Sequence, residues 1–384
     1  MTRAFNQRIS DALMERERSN LLRSVQTLES GNQSVFHKDG QSFLNFSSND
    51  YLGLASSSEL KDSYQQAISE LGVGSGASPL VTGYSRQHES LKSALTEWLG
   101  FDTALFFSSG YAANQALLLT LLTKGDLLLQ DRLNHASLME AGMLCGADMK
   151  RFRHNDLAHL ESLARAERST LAVTESVFSM DGDLSDIEAF VGICQTRGML
   201  SMVDDAHGIG VIGDNGSGAC GISELKPEIL VVTFGKAFGL NGAAILCSEE
   251  MGQYLTQFAR HYIYSTAFSA AHARALLKAL SMIQTQHWRR EKWMELSTMF
   301  EELLSDCPEY VSTSTPIKPW VVGDSVRALA LCSSLKEKGV WTTAIRPPTV
   351  PRESARLRIT LSASHQHQDV LMLATHLTRF SEAG

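Results

Sequence analysis

Apolar residues along the middle of this chain gather into short runs: Ala104–Phe107, Leu127–Leu129, Leu171–Thr174, Leu200–Val203, Ile229–Thr233 and Ala243–Cys247. Several are unbroken rather than alternating, the pattern of strands covered on both faces. Helical periodicity lies between some of them; over His88–Leu99 it puts Leu91, Leu95, Trp98 and Leu99 on one face. Together these predict an α/β domain with a mostly parallel sheet over residues 46–285. Residues 1–45 predict a helical arm and then a hairpin-like stretch around Lys38-Asp39-Gly40. A long helical segment, Ala270 to Cys307, leads into a small α+β C-terminal unit, residues 286–384. There the pattern predicts a helix over Arg327–Lys338 and strands over Val340–Ile345 and Ala355–Leu361. A final helix follows, with Val370, Leu373, Ala374 and Leu377 on its inner face.

Composition narrows the classes. The chain has 384 residues, 43% hydrophobic and 20% charged, with a formal net charge of −8. That excludes intrinsic disorder, and no basic excess exists to neutralise nucleic-acid phosphates, although a local basic pocket is compatible with it. The 6 cysteines are scattered with no C-x-x-C pair, so neither a zinc ribbon nor a disulfide framework is indicated. They read as core thiols of a reducing compartment. The first residues, MTRAFNQRISDALMERERSN, are charged and lack the apolar core of a signal peptide. The strongest apolar run, Ala116 to Leu122, is too short to span a bilayer. The expectation is a cytosolic protein.

Several positions could carry chemistry. Most lysines are solvated and do nothing special, but Lys236 follows the strand in ILVVTFGKAFG, among small and apolar neighbours. Partial desolvation there would make its amine a better nucleophile, as a Schiff-base lysine requires. Asp204, Asp205 and His207 in MVDDAHG stand at another strand end. They could be a solvated loop, a metal site, or a carboxylate that keeps a heterocyclic nitrogen protonated, as pyridoxal phosphate needs to act as an electron sink. The strand in LFFSSGYAANQ runs into Gly110 and Tyr111 at a helix start, where free N–H groups suit a phosphate. Most such turns bind nothing; Thr233 could add a hydroxyl. His135 in DRLNHASL could stack on a planar ring, though a lone histidine is more often unremarkable. In ARLRITL, strand alternation puts Arg356, Arg358 and Thr360 on one face. An arginine there could grip a carboxylate or be a solvated edge residue. Gly72, Gly74 and Ala77 match G-x-G-x-x-A, but the preceding LKDSYQQAISEL reads as a helix, so the dinucleotide fingerprint fails. His365 and His367 are two apart near a helix start and make a poor metal site.

Taken together, LNFSSNDYLGLA (44–55), SSGYAANQ (108–115), NHASL (134–138), ESVFSMDGD (175–183), VDDAHGIGVIG (203–213), TFGKAFG (233–239), IRPPTVP (345–351) and ARLRITLSA (355–363) resemble the α-oxoamine synthase family of fold-type I pyridoxal-phosphate enzymes. The resemblance runs from about residue 9 to the C-terminus. It implies pyridoxal 5'-phosphate bound covalently to Lys236, with Asp204 at the pyridinium nitrogen, His207 and Ser179 at the phenolic oxygen, His135 on the ring, and Gly110, Tyr111 and Thr233 at the phosphate. It further implies Arg358 and Asn49 for the amino-acid substrate, and Arg23 and Thr349 along the acyl path. It implies a homodimer in which Tyr264, Ser265 and Thr266 approach the partner's site. Ile209, Ala237 and Ser176 depart from the usual pattern without removing a catalytic group. The implied reaction condenses L-alanine with a pimeloyl thioester, on coenzyme A or a carrier protein, with loss of CO2, a step of biotin biosynthesis. Sister activities with glycine or other acyl thioesters use the same residues. The presence of Lys236 argues against a non-catalytic subunit of the same fold, and metal analysis of the purified protein would test a metal-dependent hydrolase that uses Asp204, Asp205 and His207.

Overall fold

The computed structural model describes residues 3–31, 33–165 and 167–382. Two compact units emerge, Asn49–Trp293 and, separately, Met1–Ser48 together with Met294–Gly384.

The larger unit is built on a seven-stranded sheet. In spatial order its strands are Thr103–Phe107, Ala243–Cys247, Ile229–Thr233, Leu200–Asp204, Thr170–Glu175, Leu127–Asp131 and Asp148–Phe152. All run parallel except Ala243–Cys247, which is antiparallel to both neighbours. The apolar runs predicted every strand but Asp148–Phe152, an edge strand of sequence DMKRF in which only Phe152 is buried. With one face wet, it has no continuous apolar run to read. Helices Gly110–Leu121 and Ala136–Leu144 pack on each other, and their Ala113, Leu117, Leu138 and Ala141 close the core over Leu105, Val173, Val231 and Ile245. Helices Ser58–Leu71 and Arg86–Leu99 pack against Ala270–Thr285. The first of these precedes Gly72, which confirms that the glycine run follows a helix and not a strand.

The long segment from Ala270 is two helices, Ala270–Thr285 and Trp288–Leu304. Gln286 leaves helical geometry (φ −97, ψ 63), and Arg290 Nη1 donates to the Ile283 carbonyl at 2.6 Å, capping the interrupted end.

In the smaller unit, Val35–Lys38 and Gln41–Asn45 form an antiparallel hairpin. Asp39 and Gly40 turn it with φ of 50 and 73, the positive pair that an Asp-Gly turn favours. Val340–Trp341 adds to Gln41–Asn45 in parallel, so the N-terminal segment shares a sheet with the C-terminal part of the chain. The stretch predicted as one strand, Val340–Ile345, divides at buried Thr342; its second half, Thr343–Ile345, pairs instead with Ala355–Thr360. Ile317–Gly323 flanks that strand on its other side. Leu357, Ile359 and Leu361 point into a core with Trp320, Leu331 and Leu373, as the alternation predicts. All 6 cysteines are free thiols, and among the described residues no helix is long and apolar enough to cross a membrane.

Candidate active site

Parallel strands bring their C-terminal ends to one edge of a sheet, which is where α/β folds place ligands. Here that edge gathers Ser108–Tyr111, Glu175, Asp204, Ala206, His207, Thr233, Gly235 and Lys236, and they line a cavity of about 280 Å³ with Asn49, His135 and Asn241. The strand order thus brings together Lys236, Asp204, His207, His135, Gly110, Tyr111, Thr233 and Asn49 from segments scattered along the chain. Ser179 is half-buried and is not among the lining residues.

Asp204 ends its strand buried, at 5% exposure. Its Oδ1 accepts the Ala206 N–H at 3.0 Å and its Oδ2 accepts from Asn114 Nδ2 at 2.7 Å. The neighbouring Asp205 turns to the other side, as strand alternation dictates. It is wholly buried and accepts from the Ser176 hydroxyl and, at 2.9 Å, from the Ala219 N–H. A Cβ on Gly208 or Gly218 would fall 2.1 or 1.9 Å from an Asp205 carboxylate oxygen, so both positions require glycine. Desolvation pushes the Asp205 pKa up to about 7. The two carboxylates therefore do not converge on one point with His207, and Ser176, one of the atypical positions, has a defined role as donor to Asp205.

His207 Nδ1 lies 2.7 Å from the buried Tyr51 hydroxyl, which also bonds Asn49 Oδ1 at 3.2 Å. His135 caps the helix Ala136–Leu144 and exposes its ring to the cavity. Desolvation lowers its pKa below 6.5; Lys236 works in the same direction and Asp204 against it. The balance favours a neutral imidazole. The His135 backbone N–H donates to Glu175, whose carboxyl is 3% exposed and registers beside Asp204 on the adjacent strand. Desolvation, reinforced by the Asp204 charge, raises the Glu175 pKa well above 4.5, which favours the protonated acid.

At the other end of the cavity, Ser109 caps the 12-residue helix Gly110–Leu121 by accepting the Ala112 N–H at 3.1 Å. A Cβ on Gly110 would fall 2.6 Å from Thr233 Cγ2, so only glycine leaves the helix start open beside that hydroxyl. Tyr111 is tied to Glu140 through its phenol and lies edge-on to His135 at 6.3 Å.

The smaller unit carries the remaining predicted residues. Arg23 Nη2 donates to Thr349 Oγ1 at 3.4 Å, and both line a cavity of about 980 Å³ with Lys336, Trp341 and Arg346. Arg358 is 7% exposed on the central strand of its sheet, not on an edge. His365 and His367 face different partners: Asn45 O accepts from His365 Nε2 at 3.0 Å, while His367 Nε2 meets Glu295 at 2.6 Å. In the larger unit Tyr264 is 76% exposed, and Ser265 and Thr266 line a small crevice beside Phe268. Glu175, Asn114, Ser137 and Tyr51 all stand inside the motif strings quoted above, but nothing local to them signals what they touch.

The model of the family "Aminotransferase class I and II" matches residues 41–377. An 8-amino-7-oxononanoate synthase of Aliivibrio fischeri is 57% identical over 375 residues, covering 97% of this chain and 98% of that protein. The chain belongs to the class I and II aminotransferase family, as one of its α-oxoamine synthases. Solved structures agree with that placement. The 8-amino-7-oxononanoate synthase of Francisella tularensis superposes with a TM-score of 0.78 at 28% identity, covering 89% of this chain and 98% of that one. A serine palmitoyltransferase variant from S. paucimobilis, solved with a bound PLP–myriocin aldimine, gives a TM-score of 0.91 over 99% of this chain and 98% of that one. At 22% identity it shows the fold alone.

Proposed function

We propose that this chain is a pyridoxal-phosphate-dependent acyltransferase that condenses L-alanine with a pimeloyl thioester, releasing CO2 and the free thiol and giving 8-amino-7-oxononanoate for biotin biosynthesis. The observation that carries this reading is the convergence of a lysine amine, a buried carboxylate, a neutral imidazole and an open helix N-terminus on one cavity. These groups fit the cofactor: an amine for its aldehyde, a carboxylate for its ring nitrogen, and N–H donors with a hydroxyl for its phosphate. Bound there, pyridoxal phosphate supplies an electron-withdrawing pyridinium ring that takes up the electron pair released at the substrate Cα.

This chain's residues supply the rest. Lys236 would hold the cofactor covalently, and its free amine would accept the substrate Cα proton at Nζ. Asp204, fixed by Asn114 and Ala206, keeps the pyridine nitrogen protonated. His207, steadied by Tyr51, and Ser179 serve the phenolic oxygen. His135 stacks on the ring. Gly110, Tyr111 and Thr233 hold the phosphate. Arg358 and Asn49 serve the amino-acid substrate, and Arg23 and Thr349 line the acyl path. The enzyme works in the cytoplasm as a homodimer, with Tyr264, Ser265 and Thr266 near the partner's cofactor.

The test is a product assay with L-alanine and pimeloyl-coenzyme A, run beside glycine and acetyl-coenzyme A. The expected result is 8-amino-7-oxononanoate from the first pair only, and neither product nor the visible cofactor band in Lys236→Ala. Turnover of the glycine pair alone would replace this reading with a sister activity.

A further inference from the structure

Ser137 has no role in the chemistry above and Asn114 enters it only as a donor to Asp204, yet both line the cavity and are buried, at 0% and 1% exposure. Asn114 Nδ2 donates to Asp204 Oδ2 at 2.7 Å and to Ser137 Oγ at 2.9 Å. The amide orientation follows from charge: turned over, its oxygen would face a carboxylate oxygen. Ser137 Oγ, which accepts from Asn114, lies 2.9 Å from His135 Nδ1 and is the donor of that pair wherever Nδ1 is an acceptor. The Ser137 backbone N–H points at the same ring nitrogen at 3.3 Å. A nitrogen that accepts from both carries no proton, so the neutral ring is protonated at Nε2.

We propose that Asn114 and Ser137 are positioning residues that couple two cofactor-facing groups. The run Asp204–Asn114–Ser137–His135 fixes the carboxylate beside the pyridine nitrogen and at the same time holds His135 as the Nε2–H tautomer. Its Nε2–H is thereby kept as a donor toward the cavity, where the thioester carbonyl or the carboxylate of the substrate enters. The inference rests on the function proposed above only in taking the cavity as the cofactor site; the tautomer lock stands on this chain's own atoms.

The experiment is ¹⁵N spectroscopy of histidine-labelled protein with and without added pyridoxal phosphate, His135 being assigned by its loss in His135→Gln. Wild type is expected to show Nε2 protonated and Nδ1 accepting. Ser137→Ala and Asn114→Leu are expected to raise the Nδ1–H population measurably, because only the longer backbone N–H contact, at 3.3 Å, then opposes it in the first and an unanchored hydroxyl in the second. Asn114→Leu should also bind pyridoxal phosphate about tenfold or more weakly, the scale of one hydrogen bond to a charged group, and shift the pH titration of the visible band. An unchanged His135 tautomer in both variants overturns the proposal. If Asn114→Leu does not fold, Ser137→Ala decides alone. Wild type that forms no visible band with pyridoxal phosphate would instead count against the cofactor site, while the tautomer measured without cofactor still decides this proposal.

Discussion

Glu175→Gln separates a neutral buried acid from an ionised one. Glu175 is 3% exposed and sits in register with Asp204, and both desolvation and that neighbouring charge raise its pKa well above 4.5. Glutamine copies the protonated acid: it is neutral, nearly isosteric, and can still accept the His135 N–H. A group with a raised folded pKa contributes stability in full below its unfolded pKa. That stability is lost as pH rises toward the folded pKa, because the unfolded chain has already released its proton. Between pH 4.5 and its raised folded pKa the wild type should therefore lose ground to Glu175→Gln by up to about 1.4 kcal/mol per pH unit. Urea unfolding of both proteins between pH 5.5 and 8 measures this as a widening gap in midpoint, and infrared difference spectra should show a neutral carboxyl band lost in the variant. Turnover should stay close to wild type. By contrast, Glu175→Ala should cost about 1–3 kcal/mol for the orphaned His135 N–H, with a further cost for the cavity left behind. A stability gap between wild type and Glu175→Gln that does not change with pH would show that Glu175 is ionised and would refute the reasoning.

Three more outcomes follow from the geometry. Gly110→Ala places a Cβ 2.6 Å from Thr233 Cγ2, so pyridoxal phosphate should bind at least tenfold more weakly in a cofactor titration, with thermal stability nearly kept. Asp204→Asn cannot satisfy both of its donors, since one end of the amide must face either Asn114 Nδ2 or the Ala206 N–H. Turnover should fall far more than cofactor content, and equal losses would argue that Asp204 only binds. His154 lies between Asp131 and Asp183; burial opposes its charge, but both carboxylates outweigh that and hold its pKa up to about 10. The stability it contributes is complete below pH 6.5 and lost as pH rises toward 10, so the deficit of His154→Gln should shrink over that interval in unfolding measurements.

The fully buried strands were legible because burial on both faces leaves an unbroken apolar run; Ile229–Thr233 and Ala243–Cys247 appear with the same bounds in the structure. Asp148–Phe152 was not, because an edge strand with one wet face keeps no such run. The division of Val340–Ile345 between two sheets was equally hidden, since the choice is made by partners almost three hundred residues away in one case and adjacent in the other. Lys236, Asp204, His207, His135 and Gly110 could be nominated from residue type and local setting, with the motif strings adding their roles.

The sequence by itself determined the inventory: the apolar strands, the Asp39-Gly40 turn, the lysine between small residues and the carboxylate at a strand end. These depend on near neighbours, which the chain fixes covalently. Only the tertiary structure decided which of those groups meet. Asn114 reaches Asp204 across 90 residues and Tyr51 reaches His207 across 156, and these contacts depend on the order of strands in the sheet. The raised pKa of Glu175 follows from burial and from Asp204 on the neighbouring strand, and the tautomer of His135, though set by Ser137 two residues away, is tied to Asp204 only through Asn114 on another helix.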